Sequence, residues 1–452
     1  MPHFGLEGLA PTLLYAGMYV VFLASVFWRP NLGIYLLVLT LPLQTGRYRL
    51  HDFPLGSEFL DILLLGTILG LVIQGKSFVP RGQWTRFLLF YALFCYLSLW
   101  EGSYFLRAPL PLWISDARFS DWKNYVEMFL LALVVASAIK SKNEIRLLLA
   151  VMAVSLLVVN RSYFSTLSGR DLSHFSYEVR DAGPLGYAGV NGLAAFEAML
   201  ASMLLGIAVF TRRTLPKVGI YLILATCCYC LLFSFSRGGY LGLLIGIMTV
   251  GLFKSRWLLG VAALLVIGWQ TLLPVAVQER IAMTTENAGE GQQFEPSAQD
   301  RINLWEDAMV LFKRNPITGT GFQTYESMGR LGYADTHNYY LKILAETGII
   351  GFFLFLMLLW KLFGSGMRLF FTTEDPFWRG LSLGFIALLA STVVLNLFGD
   401  RWSYQQVDGY LWVILGCVIS GMRTVGEESA NAEAVEASEQ LPSQEGPQLS
   451  PA

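Results

Sequence analysis

The sequence predicts an all-α protein that crosses a membrane many times. Apolar residues make up 54% of its 452 residues and charged residues only 14%. With a positive mean hydropathy, that composition belongs to polytopic membrane chains rather than to soluble globules. The apolar residues are also gathered into long runs joined by short polar connections. Lipid tails cannot satisfy free backbone groups, and the runs far exceed the length of barrel strands, so helices are the form expected for them.

The runs lie near 12–28, 31–44, 58–74, 86–100, 122–139, 144–160, 190–211, 217–235, 238–253, 257–277, 337–363, 380–398 and 405–422. They give about twelve or thirteen spans, several of them shorter than the roughly 20 residues a bilayer core needs. The first run lacks a basic leader and a small-residue cleavage site, so no cleaved signal peptide is expected. One set of short connections carries sixteen basic residues: Arg29, Lys76, Arg81, Arg86, Lys140, Lys142, Arg146, Arg212, Arg213, Lys217, Lys254, Arg256, Lys361, Arg368, Arg379 and Arg423. The opposite set carries ten: Arg47, Arg49, Arg107, Arg118, Lys123, Arg161, Arg170, Arg180, Arg237 and Arg401. The positive-inside tendency places the first set in the cytoplasm and the long polar segment from 278 to 336 outside.

Four regions follow: an N-terminal helix bundle (1–277), an external loop with a short amphipathic helix (278–336), C-terminal transmembrane helices (337–423) and an acidic tail (424–452). Within the loop, residues 286–298 read as a polar, flexible lead-in. The tail has six glutamates and no lysine or arginine after Arg423, and it is expected to be disordered. No fixed-period repeat is evident.

Polar residues beside the apolar runs supply the candidate chemistry. Between 299 and 312, Arg301, Trp305 and Ala308 stand at i, i+4 and i+7, the spacing of one helix face. Asn315-Pro316 stops that helix, and Gly319-Thr320-Gly321 gives a tight turn. Arg237 follows Phe233-Ser234-Phe235-Ser236 at a corner between two apolar runs, where a guanidinium must snorkel, pair or face a polar cavity. Its planar donor fork matches phosphate oxygens; the alternative is a structural anchor. His337 stands where the polar loop meets the next apolar run, within reach of head groups and water. At about 100° per residue, His337, Gly348 and Gly351 would share a helix face, about 20° and 40° apart from the histidine. The plainer alternative is a histidine that only caps the helix.

These residues resemble the O-antigen ligase and O-antigen polymerase superfamily. The resemblance rests on Ser236-Arg237-Gly238-Gly239 at a helix junction, a loop with Arg301, Trp305, Pro316, Gly319 and Gly321, then His337-Asn338 followed by Glu346, Gly348 and Gly351. Asn191-Gly192-Leu193-Ala194 resembles a further element of that family, with Val190 in place of a frequent proline. The resemblance implies a bacterial inner-membrane glycosyltransferase with its active site facing the periplasm. It would move a glycan from an undecaprenyl diphosphate carrier to an acceptor hydroxyl on lipid A core, another glycan or a protein. His337, Arg237 and Arg301 would be catalytic; Arg237, Arg301, Asn338 and Asn191 would bind substrate; no metal, nucleotide or other cofactor is implied. No enzymic nucleophile is evident, so direct displacement with inversion is expected.

Other signals carry less. Gly70 to Ser77 has P-loop spacing, but it begins inside an apolar run and Phe78-Val79-Pro80 follows where a phosphate-binding helix should start. Cys227, Cys228 and Cys230 cluster without a nearby histidine or acid, as packing residues do, and Cys95 and Cys417 also lie in apolar runs. No basic tract suits nucleic acid. A transporter of lipid-linked glycans is the chief rival, with Asp61, Glu127, Glu197 and Glu346 as its ionisable residues, yet their positions define no pathway. A membrane scaffold would not need these arginines and the histidine to converge. Ligase and polymerase, or a protein O-oligosaccharyltransferase, share the same donor chemistry, and the moderate external loop favours the ligase.

Overall fold

The computed structural model describes residues 11–43, 50, 53–283, 296–329 and 335–439. Among them there are helices and no strands. All the apolar runs become helices: α1 (Pro11–Phe27), α2 (Asn31–Thr40), α3 (Phe59–Ile73), α4 (Gln83–Leu106), α5 (Ala117–Ala138), α6 (Lys142–Leu167), α7 (Gly189–Ala208), α8 (Thr214–Phe233), α9 (Arg237–Phe253) and α10 (Trp257–Ile267). After α11 (Val275–Ala282), α12 (Pro296–Arg314) and the short α13 (Thr324–Met328) come α14 (Tyr339–Thr372), α15 (Pro376–Leu395) and α16 (Gln405–Glu439). Seven helices among the described residues are long and apolar enough by themselves to cross a membrane, and α1, α2, α9 and α10 are shorter apolar helices. The chain is an all-α, multi-pass membrane protein.

Helix α7 is the centre of the bundle, in contact with α8, α9 and α15. It approaches α15 so closely that a Cβ on Gly206 would lie 2.6 Å from the Gly384 Cα, which only small residues permit. Helices α5 and α16 run parallel. The Gln405 side-chain amide donates to the Asn124 carbonyl (3.0 Å) near their starts, and the Ser420 hydroxyl donates to the Ile139 carbonyl (2.7 Å) near their ends. This pair marks two ends of the bundle, separated by the length of α5, roughly 33 Å at 1.5 Å per residue.

Helix α14 is broken. At Gly348 the backbone has φ 60° and ψ −165°, a region open to glycine alone. The break frees backbone groups that the segment from Pro316 to Gly321 satisfies. Ile349 and Ile350 donate to the Pro316 and Ile317 carbonyls (3.0 and 3.3 Å), while Thr320 and Gly321 donate to the Ala345 and Glu346 carbonyls (3.0 and 2.7 Å). Glycine is needed on the opposing side too, since a Cβ on Gly319 would sit 2.3 Å from the Glu346 carbonyl carbon. Non-helical backbone is tolerated within a membrane protein where neighbouring protein satisfies it. Phe322 extends the junction to α4 by donating to the Ser98 carbonyl and hydroxyl (3.3 and 3.1 Å).

Helix α12 lies over the first turns of α14. Leu304, Ala308 and Leu311 form its buried stripe against Tyr325, Ala345 and Leu341. Arg301 and Trp305 flank that stripe, half-buried. The expected lead-in at 286–298 falls largely outside the described residues, which resume at 296. The expected disordered tail is corrected over 424–439, where α16 continues to Glu439. Its alanines and glutamates are strong helix formers that extend an existing helix without a new nucleation cost. Residues 440–452 lie outside the described residues.

Candidate functional site

Two polar clusters occupy the end of the bundle where α5 and α16 begin. The first surrounds the corner between α8 and α9. Arg237 is the first residue of α9 and half-buried. Phe235 before it is fully buried and left-handed, with φ 53°. Two arginines hold this strained backbone: Arg180 Nε donates to the Ser234 carbonyl (3.2 Å), and Arg280 Nε on α11 donates to the Phe235 carbonyl (3.4 Å). Asn191, in the first turn of α7, accepts from Arg180 Nη2 and from the Ser236 hydroxyl, both at 2.9 Å. Ser236 therefore does not cap α9 with its side chain, and the first turn of α9 presents backbone N–H groups at the corner.

Arg180 and Arg280 carry no motif in the sequence, Arg180 lying in a loop and Arg280 on the short α11. Arg280 is 5% exposed, and its guanidinium lies over the rings of Phe175 and Tyr177, 4.9 and 5.2 Å from their centroids. Burial, and then the neighbouring Arg280 charge, push the Arg180 guanidinium below its usual value. Like charges held this close favour an anion beside them.

The second cluster surrounds His337. The histidine is not in a helix: it has φ 53°, and Asn338 is the N-cap of α14, its side-chain oxygen accepting from the Tyr340 and Leu341 N–H groups (3.1 and 3.2 Å). The helix face expected to join His337, Gly348 and Gly351 therefore does not exist. His337 precedes the helix and Gly348 interrupts it, so neither end of the 3.6-residue count holds.

Asp335 holds the histidine instead. One of its carboxylate oxygens accepts from the His337 backbone N–H (3.0 Å), and the other lies 3.4 Å from the imidazole Nδ1 and accepts from the Asp400 N–H (3.1 Å). Burial alone would raise the Asp335 carboxyl, but the His337 side chain and then the Lys342 charge more than offset it and hold it at about 2. Below this turn, Lys342 Nζ pairs with Asp400 at 3.0 Å, both side chains at most 5% exposed. Arg401 Nη1 donates to the Asp400 carbonyl (3.3 Å). Tyr339 N–H donates to the Asn396 carbonyl (2.9 Å), whose side-chain oxygen in turn accepts from the Arg401 N–H (2.9 Å).

The turn between α15 and α16 joins the clusters. A Cβ on Gly238, next to Arg237, would touch Phe398 at 3.4 Å, and Asp400, two residues on, is bonded to Asp335. Sequence reasoning missed Asp335, Lys342 and Asp400. Their signal was an acid two residues before the histidine, a basic residue one turn into an apolar helix, and a charged pair, Asp400-Arg401, at a tight helix junction like that of Arg237. Helix α12 brings Arg301 over the start of α14, its Nε buried. Among the described residues no three histidine, cysteine or acidic side chains are grouped as metal ligands. The membrane acids of the transporter alternative stand apart: Asp61 and Glu127 share Lys123, Glu197 is buried on α7, and Glu346 accepts from the Tyr325 N–H (3.0 Å).

No curated protein matches the chain. Residues 220–356 match a family model described as O-antigen ligase. That stretch holds the Arg237 corner, α12 with Arg301, the Pro316–Gly321 segment, the His337 turn and the break at Gly348. The match covers under a third of the 452 residues, and over that stretch the chain is similar to the O-antigen ligase family.

Proposed function

We propose that the protein is an O-antigen ligase-like glycosyltransferase that takes a glycan from undecaprenyl diphosphate and joins it to an acceptor hydroxyl at the outer face of the cytoplasmic membrane. The observation that carries this reading is the junction of the two clusters: an arginine-held helix N-terminus beside a carboxylate-oriented histidine, linked through Phe398 and Asp400. Arg237 and the first N–H groups of α9 would receive the diphosphate, as helix N-termini and guanidinium forks do. Arg180, Arg280 and Asn191 hold that corner in place, and Arg301 would meet the same anion from α12. These cations stabilise the charge that builds on the leaving diphosphate.

With Asp335 facing Nδ1, the His337 Nε2 would accept the hydroxyl proton. The acceptor oxygen forms a bond to the anomeric carbon as the bond from that carbon to the diphosphate oxygen breaks. The electron pair leaves with the diphosphate and the proton passes to Nε2. A single displacement inverts the anomeric configuration. Diphosphate leaves without needing a general acid, and no step calls for a metal or a cofactor. Ligation to lipid A core is the acceptor chemistry favoured; polymerisation of a glycan or O-glycosylation of protein is the alternative on the same donor site.

The test is single-turnover transfer from a defined lipid-linked oligosaccharide, with donor binding measured in parallel. His337→Ala should bind donor normally and transfer about 10² to 10⁴ more slowly. His337→Asn separates orientation of the acceptor from proton removal. Near-normal transfer by both variants would exclude His337 as the base, and carrier movement without transfer would favour a transporter.

A further inference from the structure

At the opposite end of the bundle, where α3 and α5 finish, a cavity of about 290 Å³ opens between helices. Its walls carry Trp28 and Arg29 from the α1–α2 corner, Gln74 and Lys76 after α3, and Lys140 and Glu144 around the start of α6. Three cations thus face one carboxylate, and that carboxylate is already engaged. Glu144 accepts from the Lys140 N–H (3.0 Å), the Ser141 N–H (2.9 Å) and hydroxyl (3.1 Å), and the Asn31 amide (3.2 Å), as part of the capping box that starts α6.

Among the described residues these cations meet no other acid. Lys76 Nζ donates to the neutral Gln74 side chain (2.8 Å), and Arg29 lies 5.2 Å from the Trp28 ring centroid. Among the described residues, none of Arg29, Lys76 and Lys140 has a carboxylate within ion-pair distance. Charges arranged this way leave two unbalanced positive charges around a cavity with room for a phosphate and a glycerol. The bilayer side is apolar. Leu23 and Phe27 on α1, and Val72 and Ile73 on α3, are exposed beside the cavity, along the path that acyl chains would take.

We propose that this cavity binds the head group of an anionic phospholipid, with the phosphate among Arg29, Lys76 and Lys140 and the acyl chains over Leu23, Phe27, Val72 and Ile73. Basic pockets between helices on the cytoplasmic side suit such head groups, and the positive-inside imbalance assigns this end to the cytoplasm. The exposed apolar flank selects a lipid over a free phosphate, which would have no use for it. The site is independent of the transfer chemistry at the other end.

Native mass spectrometry of the full chain, titrated with phosphatidylglycerol, phosphatidylcholine or glycerol 3-phosphate, tests the proposal. The wild-type protein should retain one phosphatidylglycerol in preference to phosphatidylcholine. The variant R29Q/K76Q/K140Q should bind that lipid about 10- to 100-fold more weakly, and Lys140→Gln alone, an exposed change that leaves the fold intact, about 5-fold more weakly. The control K254Q/R256Q changes two exposed cations at the same end, outside the cavity, and should bind as the wild type does. Unchanged lipid retention by both Lys140→Gln and the triple variant would overturn the site. An equal loss in the control would reduce it to a general charge effect, and equal affinity for glycerol 3-phosphate would replace the lipid with a soluble anion.

Discussion

At the scale of single residues, the site is held in backbone conformations that most side chains avoid. Phe235 and His337 both have φ 53°, a geometry that costs of order 1–3 kcal/mol and persists where surrounding bonds over-determine it. Arg180, Arg280 and Asn191 do this for the Phe235 corner; Asp335 does it for His337. Asp335→Asn should keep the bond to the His337 N–H and lose the charge that faces Nδ1. Transfer should fall about 10- to 100-fold while donor affinity stays the same, part of the 10² to 10⁴ that a general base supplies. The sign of the pH effect follows from the depressed Asp335 carboxyl. Its contribution to stability is complete above the ordinary value of 3.8 and is lost as the pH falls through about 2, so it remains charged over the working range. Removing that charge should move the acid limb of the pH–rate profile to lower pH, and an unmoved profile would make Asp335 a turn residue only. Arg237→Ala should abolish donor binding with expression unchanged, and Arg237→Lys should rescue poorly for want of a planar fork; binding of lipid-linked donor to detergent-solubilised variants decides this. The histidine and Arg237 were legible because each stands alone at a polar–apolar boundary. Arg180 and Arg280 were not, because only the folded chain brings a loop residue and a residue of α11 to the corner.

At the scale of elements, hydrophobic runs told where the helices are, since composition over a long window decides burial in lipid. They could not tell where a helix breaks. The run from 337 to 363 reads as continuous, yet α14 is interrupted at Gly348, because the alternative partner for its backbone is a loop segment some thirty residues earlier. Glycines at 319, 321 and 348 were visible; their interlocking was not, being a tertiary match between backbone groups. Two substitutions on α14 separate these effects. Gly348→Ala places a methyl group 2.3 Å from the Ile317 carbonyl oxygen in a conformation open to glycine alone, which costs about 1–3 kcal/mol in backbone strain before any overlap. Gly364 is helical and has nothing within 4 Å of an added Cβ, so Gly364→Ala should be neutral or stabilise by up to about 1 kcal/mol. Thermal unfolding in detergent should fall for the first and not for the second, and protease should cut the segment from 316 to 329 faster only in the first. Equal stability of both would mean that the loop does not depend on the break.

At the scale of the whole molecule, the two ends of the bundle carry different chemistry. Where α5 and α16 begin, Asp335 faces His337 and Lys342 pairs with Asp400, while the like charges of Arg180 and Arg280 stand side by side at the Phe235 corner. Where those helices pass into the basic connections, the cations are exposed and line the cavity around Glu144. Such a division is what a transferase working on a membrane-anchored diphosphate would need at one face, and what positive-inside insertion leaves at the other. The orientation rests on sixteen basic residues against ten in the short connections, and two exposed positions test it. Asn303 on α12 lies at the site end, and Glu427 on α16 lies beyond the opposite end; both are exposed. All five native cysteines are in apolar helices, four of them buried, so single cysteines introduced at these positions can be read separately. A membrane-impermeant thiol reagent should label Asn303→Cys in cells whose cytoplasmic membrane is intact. Glu427→Cys should react only after that membrane is permeabilised. The reverse pattern would put Arg237 and His337 on the cytoplasmic side, away from a glycan carried on the outer leaflet, and the proposed transfer would fail with it, whereas the anionic lipid cavity would only change leaflets.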